Sequence, residues 1–472
     1  MGISNVTGTG RSGMVAAKAN IATTGHNIAN ANTEGFSRQR VHQSSEVGVS
    51  PLGRNIIGQG VTVSRTERIN DEYVEKQIRN AGRDLAQMEE KDLVLRQTED
   101  IFNEMGGEGL NRMMARFFNE FRKLSNEPEN EAVRQSVREA SAAMVNDFKR
   151  LRSSIEDVRR HIDHRIEGFT RDINTTADQI RELNIQIKQQ EITGGSPNDL
   201  LDKRDQALRK LGTYMDLTMH KAEDGQFTVE MRGVGPLVVG TSAETLSISR
   251  TPADDEGKNS NLLDITTSGK GGGPITHSIK GGKLGSLLEV RDKTLGSIVD
   301  RLDELAFSLT QSVNSIHTQG FSRTGQTGIA FFKPVDGRER ASEVFDLSDE
   351  VKSNVNSIAT AAEVDAPGDN RIAIALSGLQ NARLMNDGQS TVDDYYNSIV
   401  GDVGVISARN RSGMSQAKDI STQLGKIRDQ ISGVSIDEET ANLMQFQHLF
   451  GASAKVIQVA DEMFRTVLDL KR

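Results

Sequence analysis

The sequence predicts a mainly α-helical protein with an inserted β-rich domain, in which helices from both chain ends build a long helical bundle or coiled coil. Apolar residues recur at helical spacing near both ends and over long stretches between them. The apolar period changes to two between residues 216 and 280, and an extended region with alternating stretches is predicted at about 35–66. Sixteen Phe, four Tyr and no Trp among 472 residues favour long helices with narrow apolar stripes over a thick mixed core.

The first predicted element is a helix over residues 3–31 with small side chains throughout. A seven-residue track typical of a coiled-coil seam runs along it; it consists of Thr7, Met14, Ile21 and Ile28. A flanking track contains smaller residues, among them Gly10, Ala17 and Thr24. Each glycine weakens the helix by up to about 1 kcal/mol relative to alanine, so we expect it to gain stability mainly by packing.

The longest periodic pattern covers residues 130–192, where apolar spacings of three and four alternate and predict one long helix. Further helices are predicted at 70–104, 110–125, 197–214, 284–318, 371–385 and 391–432. Short strands are predicted at 227–231, 237–239, 246–248, 263–265 and 275–279, with turns at 224–225, 232–233, 254–260 and 269–273.

The last segment, residues 436–470, carries a broader apolar stripe than the first helix. Its large side chains include Leu443, Phe446, Phe450, Val456, Ile457, Met463, Phe464 and Val467. A stripe of this width is more than one partner helix covers. We therefore expect the two terminal helices to contact each other and neighbouring subunits.

These patterns predict three domains. Residues 1–35 with 434–472 form a terminal helical assembly domain, and residues 36–195 with 284–433 form a long-helix bundle domain. Residues 196–283 form an inserted domain of one helix and several strands.

Composition and motifs argue against several classes of function. The formal net charge of −9 and the lack of a basic patch with aromatic residues argue against a nucleic-acid partner. No apolar run is long enough for membrane insertion, and the first residues lack the apolar core of a cleaved signal peptide. There is no Cys, and His161 and His164 favour a solvated helix face over a metal pair. We predict no catalytic, metal or cofactor site.

Both chain ends resemble the bacterial flagellar rod, hook and hook-associated proteins. The resemblance lies in Asn27-Ile-Ala-Asn30, Asn32-Thr-x-Gly35-Phe36 with Arg38, Ile436-Asp-Glu-Glu, and the segment 454–463. Three interior motifs resemble the hook-associated protein 1 family. They are residues 196–205, Gly281-Gly-x-Leu284 with Arg291-Asp292, and Asn314-x-x-His317-x-x-Gly320-Phe321. Between Phe332 and about Asp369 the chain is shorter than many relatives, which carry a further globular domain there.

The resemblance implies a structural axial component of the flagellum that forms the hook–filament junction and is needed for filament assembly. The implied partners are identical subunits in a ring, the hook protein, a second junction protein, and an export chaperone at the C-terminal helix. The implied location is the extracellular flagellum, reached by type III export without a cleaved signal peptide. The alternatives are the hook protein or another axial protein and, from another class, a secreted enzyme.

We expect the assembly interface to lie on both terminal segments. Asn27, Asn30 and Asn32 have two interpretations: capping and turn formation within the chain, or hydrogen bonds between subunits. The predicted interface residues are Met14, Ile21, Asn27, Ile28, Asn30, Asn32, Gly35, Phe36, Leu443, Phe446, Phe450, Val456, Ile457, Met463, Phe464 and Val467.

Overall fold

A computed structural model describes residues 3–46, 58–102, 109–221, 227–250, 262–268, 273–366 and 368–470. The chain divides into two compact units. The first contains Met1–Leu85, Asp172–Thr245 and Ala417–Arg472, and the second contains Ala86–Arg171 and Leu246–Gln416. These units cut across the three predicted domains, because the segment 196–283 contributes to both. The three-domain division stays a prediction.

The structure confirms the predicted fold class: long helices dominate the described residues and the strands are short. The helices are α1 (Ile3–Ala29), α2 (Glu72–Phe102), α3 (Leu110–Asn126), α4 (Glu131–Ile192), α5 (Asn198–Tyr214), α6 (Gly282–Glu289), α7 (Leu295–His317), α8 (Ala341–Val344), α9 (Asp349–Ser353), α10 (Arg371–Gly378), α11 (Val392–Ser432) and α12 (Ile436–Asp469). The strands are β1 (Gln39–Ser45), β2 (Val61–Arg68), β3 (Leu217–Lys221), β4 (Phe227–Met231), β5 (Gly235–Val239), β6 (Ser242–Ala243), β7 (Leu246–Arg250) and β8 (Leu263–Thr267).

All sheets among the described residues are small and antiparallel. In the first unit β1 pairs with β2, and β3, β4, β5 and β6 form a four-stranded meander. In the second unit β7 pairs with β8. The strand β3 was missing from the sequence prediction, although it pairs along its whole length with β4.

Two predicted elements were wrong. Residues 275–279 are not a strand, because only Thr276–Ser278 is regular and forms a 3-10 turn. The Thr276 hydroxyl donates to Asp264 and accepts from the Ile265 backbone N–H, which holds the chain in a turn. The helix predicted at 371–385 ends at Gly378, followed by a 3-10 turn. The predicted turn at 232–233 is confirmed, whereas those at 224–225 and 254–260 and most of 269–273 lie outside the described residues.

The predicted stripe of α4 is confirmed as its buried face. Twelve of its side chains are buried, while Val158 and Phe169 are partly exposed. The buried members are Val137, Ala140, Met144, Phe148, Leu151, Ile155, Ile162, Ile166, Ile173, Ile180, Leu183 and Ile187. Burial of such large aliphatic side chains stabilises a fold by about 1.5–3 kcal/mol each.

The second unit concentrates its few aromatic residues in one core. The amphipathic helix α3 presents Phe117 and Phe121 to Phe331 and Phe332, and the rings of Phe331 and Phe332 lie 4.9 Å apart, edge to face. Phe345 extends this cluster from Phe332, with ring centroids 4.7 Å apart. Edge-to-face pairs of this kind contribute about 0.5–1.5 kcal/mol beyond their buried area.

The motif that begins at Asn314 organises the chain after α7. The side-chain oxygen of Asn314 accepts a hydrogen bond from the Phe331 backbone N–H. This bond holds the chain around Phe331 against the end of α7. The fully buried His317 ring bridges two further segments: Nδ1 lies 2.7 Å from the Ile329 carbonyl oxygen, and Nε2 lies 2.8 Å from the Ala359 backbone nitrogen. Only a neutral imidazole protonated on Nδ1 can donate to the first and accept from the second.

This geometry predicts an acid-sensitive fold. Burial lowers the pKa of His317 to about 4, the Ile329 carbonyl oxygen opposes this shift, and the positive charge of Arg134 adds to it. As the pH falls, the unfolded chain therefore takes up a proton near pH 6.5 and the folded chain only near pH 4, so stability is lost across this range. We expect a loss of about 2 kcal/mol between pH 7 and pH 4.5 from this residue.

The measurement is urea unfolding at both pH values for the parent chain and for His317→Gln. The glutamine variant should lose that part of the pH dependence, whereas His164→Gln, on an exposed face of α4, should keep it. An unchanged pH dependence in His317→Gln would contradict the assignment.

Candidate assembly interface

The two terminal helices pack against each other in antiparallel orientation. Gly10 in the first third of α1 lies against Ile457 of α12, and Asn27 near the end of α1 contacts Glu439 near the start of α12. A Cβ atom at Gly10 would come 2.7 Å from Ile457 Cγ1 and 3.3 Å from the Ser453 carbonyl oxygen. The helices therefore approach as closely as a glycine allows.

The buried face of α1 is not the track that the sequence favoured. Gly10, Ala17 and Thr24, from the flanking track, are buried, whereas Thr7, Met14, Ile21 and Ile28 are only partly buried. The physical reason is the close approach of α12, which selects small side chains for the contact. Met14, Ile21 and Ile28 consequently keep part of their apolar surface.

The helix α12 leaves most of its apolar stripe uncovered. Of the predicted residues, Leu443, Phe446 and Ile457 are partly buried, whereas Phe450, Val456, Met463, Phe464 and Val467 are exposed. Further exposed apolar side chains on this helix are Ile436, Met444, Leu449, Val459 and Leu468, and Leu470 follows directly after it. Contiguous apolar surface of this kind marks an interaction surface. A groove of about 880 Å³ lies on this face of α12 beside α1. It is lined by Thr7, Ala454, Ile457, Ala460, Phe464 and Val467, among others.

The asparagine motif after α1 forms a buried polar contact with the C-terminal segment. Asn27 is 1% exposed, and its side-chain amide donates to the Gln39 carbonyl oxygen at 2.9 Å and to Glu439 Oε2 at 3.1 Å. Its Oδ1 accepts from the Gln39 backbone N–H at 2.9 Å. Asn27 thus has no free surface for a neighbour, and the interpretation within the chain replaces the one between subunits.

The remaining motif residues show turn chemistry. Asn30 donates to the His26 carbonyl oxygen at 3.0 Å and accepts from the Thr33 hydroxyl at 3.2 Å. Gly35 has φ +81°, a left-handed conformation that favours glycine, and is buried. Phe36 packs edge to face on the His26 ring, with centroids 5.4 Å apart. Asn32 is exposed and Asn30 is partly buried, so these two asparagines, unlike Asn27, keep surface that is open to a neighbour.

Arg38 ties this segment to the start of α12. Its Nη1 and Nη2 donate to the two Glu438 carboxylate oxygens at 3.0 and 2.9 Å, and its Nε lies 2.8 Å from Glu439 Oε1. Its backbone N–H donates to the Ser432 carbonyl oxygen at 2.8 Å. The two glutamates differ in burial, because Glu438 is exposed and Glu439 is 2% exposed.

The interior motif 196–205 joins the same cluster through Asp202. Its carboxylate accepts from the Ser37 backbone N–H and from Arg68 Nη1, both at 2.9 Å, and Arg68 also lies 2.6 Å from Asp205. Burial raises the pKa of Asp202, and the hydrogen bonds from Ser37 and Arg68 oppose that shift. Segments from the beginning, middle and end of the chain therefore meet in one polar network.

We expect Arg38→Met to destabilise the first unit by about 3 kcal/mol, because it leaves the buried Glu439 carboxylate without its cation. Removing the exposed partner, in Glu438→Gln, should cost less than about 1 kcal/mol. Thermal unfolding of the purified variants measures both. Equal losses in the two variants would contradict the distinction between the buried and the exposed carboxylate.

Sequence reasoning missed several members of this network. Glu439, Asp202 and Asp205 stand inside the quoted motifs, so the motifs themselves were the available signal. Arg68 and Arg428 lie outside any motif. The Nη2 of Arg428 donates to the Phe36 carbonyl oxygen at 2.8 Å. Only the tertiary fold brings these two arginines to the cluster.

The described residues contain neither a metal-binding cluster nor a membrane-spanning helix. No group of three or more His, Asp or Glu side chains there has the arrangement of a metal site. None of the described helices has an apolar stretch long enough to span a bilayer.

Comparisons with known proteins now place this fold among axial flagellar proteins. Residues 95–332 match the family described as flagellar hook-associated protein FlgK helical domain. Residues 8–36 match the flagella basal body rod protein family, and residues 429–470 match the C-terminal family of the flagellar basal body rod FlgEFG proteins. The chain belongs to the flagellar hook-associated protein FlgK family.

Individual relatives cover nearly the whole chain. Flagellar hook-associated protein 1 of Bacillus subtilis is 26% identical over 98% of this chain and 97% of its own length. The protein of the same name from Escherichia coli is 27% identical, with 98% of each chain covered. That alignment runs over 549 residues, so the E. coli protein contains residues without a counterpart in this 472-residue chain.

One solved structure has the same fold. It is described as the flagellar hook junction protein FlgK from Burkholderia pseudomallei, and it is similar with a TM-score of 0.66 at 16% identity. The similarity covers 75% of this chain and all of that chain. At this identity the likeness concerns the fold.

Proposed function

We propose that this protein is a structural axial component of the bacterial flagellum that forms the junction between hook and filament, and that filament assembly requires it. The exposed apolar face of α12 carries the proposal. This face lies on a terminal helix that already has one partner, α1, and it would be covered by neighbouring subunits. An extracellular location on the flagellum and the absence of a catalytic role belong to the same proposal.

The proposed interface consists of the exposed part of α12 and the partly exposed track of α1. In this arrangement identical subunits form a ring, in contact with the hook protein on one side and a second junction protein on the other. Phe450, Val456, Met463, Phe464 and Val467 would contribute most of the buried apolar area. About 25 cal/mol for each Å² of apolar surface would then favour association.

We also propose that an export chaperone binds α12 before assembly. Uncovered aromatic and aliphatic side chains on a helix suit a partner with an apolar groove. Type III export without a cleaved signal peptide would deliver the chain to the distal end of the hook.

Deletion of the gene tests the function. We expect cells that keep their hooks, lack filaments and release flagellin into the medium. Loss of the hooks as well would favour the alternative that the chain is the hook protein, and normal filaments would refute an axial role.

A second test addresses the interface by complementation of the deletion. Met463→Gln combined with Phe464→Gln changes side chains that are 53% and 50% exposed, so the monomer should keep its stability while filament assembly fails. Ile374→Gln is the matched control, since Ile374 is 51% exposed but lies on α10 in the second unit. Normal filaments with the double variant would refute the interface.

A further inference from the structure

A small cavity of about 220 Å³ lies in the first unit between α2 and the β3–β4 hairpin. Its charged lining is mostly basic: Lys76, Arg79 and Arg83 come from one side of α2, and Arg232 follows β4. One carboxylate, that of Asp216, is among the lining side chains. We call this cavity the Arg79 pocket.

The single carboxylate of the Arg79 pocket is already shared by two of the arginines. Asp216 Oδ1 lies 2.6 Å from Arg83 Nη1, and its Oδ2 lies 2.9 Å from Arg232 Nε. Both oxygens are therefore engaged, and Asp216 has no charge left to offset the other two cations.

Arg79 is a half-buried cation that forms no hydrogen bond or ion pair with any described residue. Two of the carboxylates that attract Arg79 are held by other arginines: Arg209 donates to both Glu75 oxygens at 3.0 and 2.8 Å, and Arg68 lies 2.6 Å from Asp205. Burial lowers the pKa of Arg79 and the positive charge of Arg209 adds to this shift, whereas Asp205, Glu75 and Glu72 oppose it only through longer-range attraction. A partly desolvated guanidinium without an acceptor is costly, and an anion would remove that cost.

Lys76 stands one helical turn before Arg79 and likewise forms no ion pair within the described part of the chain. The two residues are three positions apart on α2, and both line the pocket. Asn80 lines it as well and adds an amide N–H donor.

We propose that the Arg79 pocket binds a small tetrahedral oxyanion with two negative charges, phosphate or sulfate, between Arg79 and Lys76. Two unmatched cations are neutralised by a dianion, whereas a single carboxylate would balance only one of them. The planar guanidinium of arginine matches two oxygens of such an ion. The cavity is smaller than the roughly 300–1,000 Å³ of pockets for drug-sized ligands, which favours an ion over a nucleotide.

Isothermal titration of the full-length chain with inorganic phosphate, at an ionic strength held constant with sodium chloride, tests the inference. We expect saturable binding of one phosphate per chain, and at least about tenfold weaker binding by Arg79→Gln. Sulfate should compete with phosphate, and acetate should bind more weakly than either. Arg116→Gln, an exposed arginine on α3 in the second unit, is the matched control and should bind as the parent does.

Three results would overturn the inference: no saturable phosphate binding, unchanged affinity in Arg79→Gln, or acetate binding as tightly as phosphate. Should Arg79→Gln not fold, Lys76→Gln replaces it, because Lys76 is exposed and its loss leaves the fold intact. That variant should bind phosphate several-fold more weakly, and an affinity equal to the parent would equally refute the site. The outcome is independent of the proposed role in the flagellum.

Discussion

Replacing Gly10 by leucine is expected to separate α1 from α12 and to abolish filament assembly in complemented cells. Even the first side-chain atom at this position would overlap Ile457 Cγ1 at 2.7 Å and press on the Ser453 backbone. Overpacking of a close contact costs about 1–3 kcal/mol, and a leucine cannot turn away from a helix that lies across it. Leucine is a better helix former than glycine, so any loss must come from packing and not from helix propensity.

Gly25→Leu is the matched control for this prediction. Gly25 lies in the same helix, and a Cβ atom there would meet nothing within 4 Å. The control should therefore leave the helix pair intact or stabilise it slightly. Amide exchange of α1 and α12, together with counts of filaments per cell, measures both variants. Normal filaments with Gly10→Leu would show that the helices do not need this close contact.

The second large effect is expected from Arg291→Met, which should destabilise the second unit by about 3–5 kcal/mol. Arg291 is 2% exposed, and its Nη1 donates to Asp163 Oδ1 at 2.8 Å and to the Leu263 carbonyl oxygen at 2.9 Å. Its Nε donates to Asp292 Oδ1 at 2.7 Å. Methionine fills a similar volume but leaves the buried Asp163 carboxylate without a cation and the carbonyl without a donor.

Lys293→Met is the control for the arginine variant, because Lys293 is exposed in the same short π-helical segment, Val290–Thr294. It should change the free energy of unfolding by less than about 0.5 kcal/mol. Urea unfolding of both purified variants provides the measurement. A loss for Arg291→Met no larger than for Lys293→Met would mean that the buried ion pair adds nothing to stability.

Periodicity predicted the long helices because their apolar stripes repeat over many turns. The stripe of α4 and the ends of α11 and α12 were predicted almost to the residue. Short elements were less certain, since local side-chain bonds decide them. The hydroxyl of Thr276 turned a predicted strand into a 3-10 turn, and the pairing of β3 with β4 is a tertiary contact that local alternation did not reveal.

The candidate assembly interface was also predictable only in part. The width of the stripe on α12 was sufficient to predict an uncovered apolar face. The register of α1 was not predictable, because a coiled-coil pattern favours large residues while the close approach of α12 selects Gly10 and Ala17. The buried hydrogen bond of Asn27 needs Glu439, which lies 412 residues further along the chain. A local sequence pattern cannot reveal a contact over that separation.

The polar network around Asn27 also sets an order of events during synthesis. Its members Asn27, Asp202 and Glu439 leave the ribosome in that sequence, and 412 residues separate the first from the last. Until then α1 has no helix to pack on and Arg38 has no carboxylate partners at α12. Closing such distant contacts is slow. A chain that terminates before Glu439 therefore never acquires the paired terminal helices and lacks the apolar face of α12 that the proposed assembly needs.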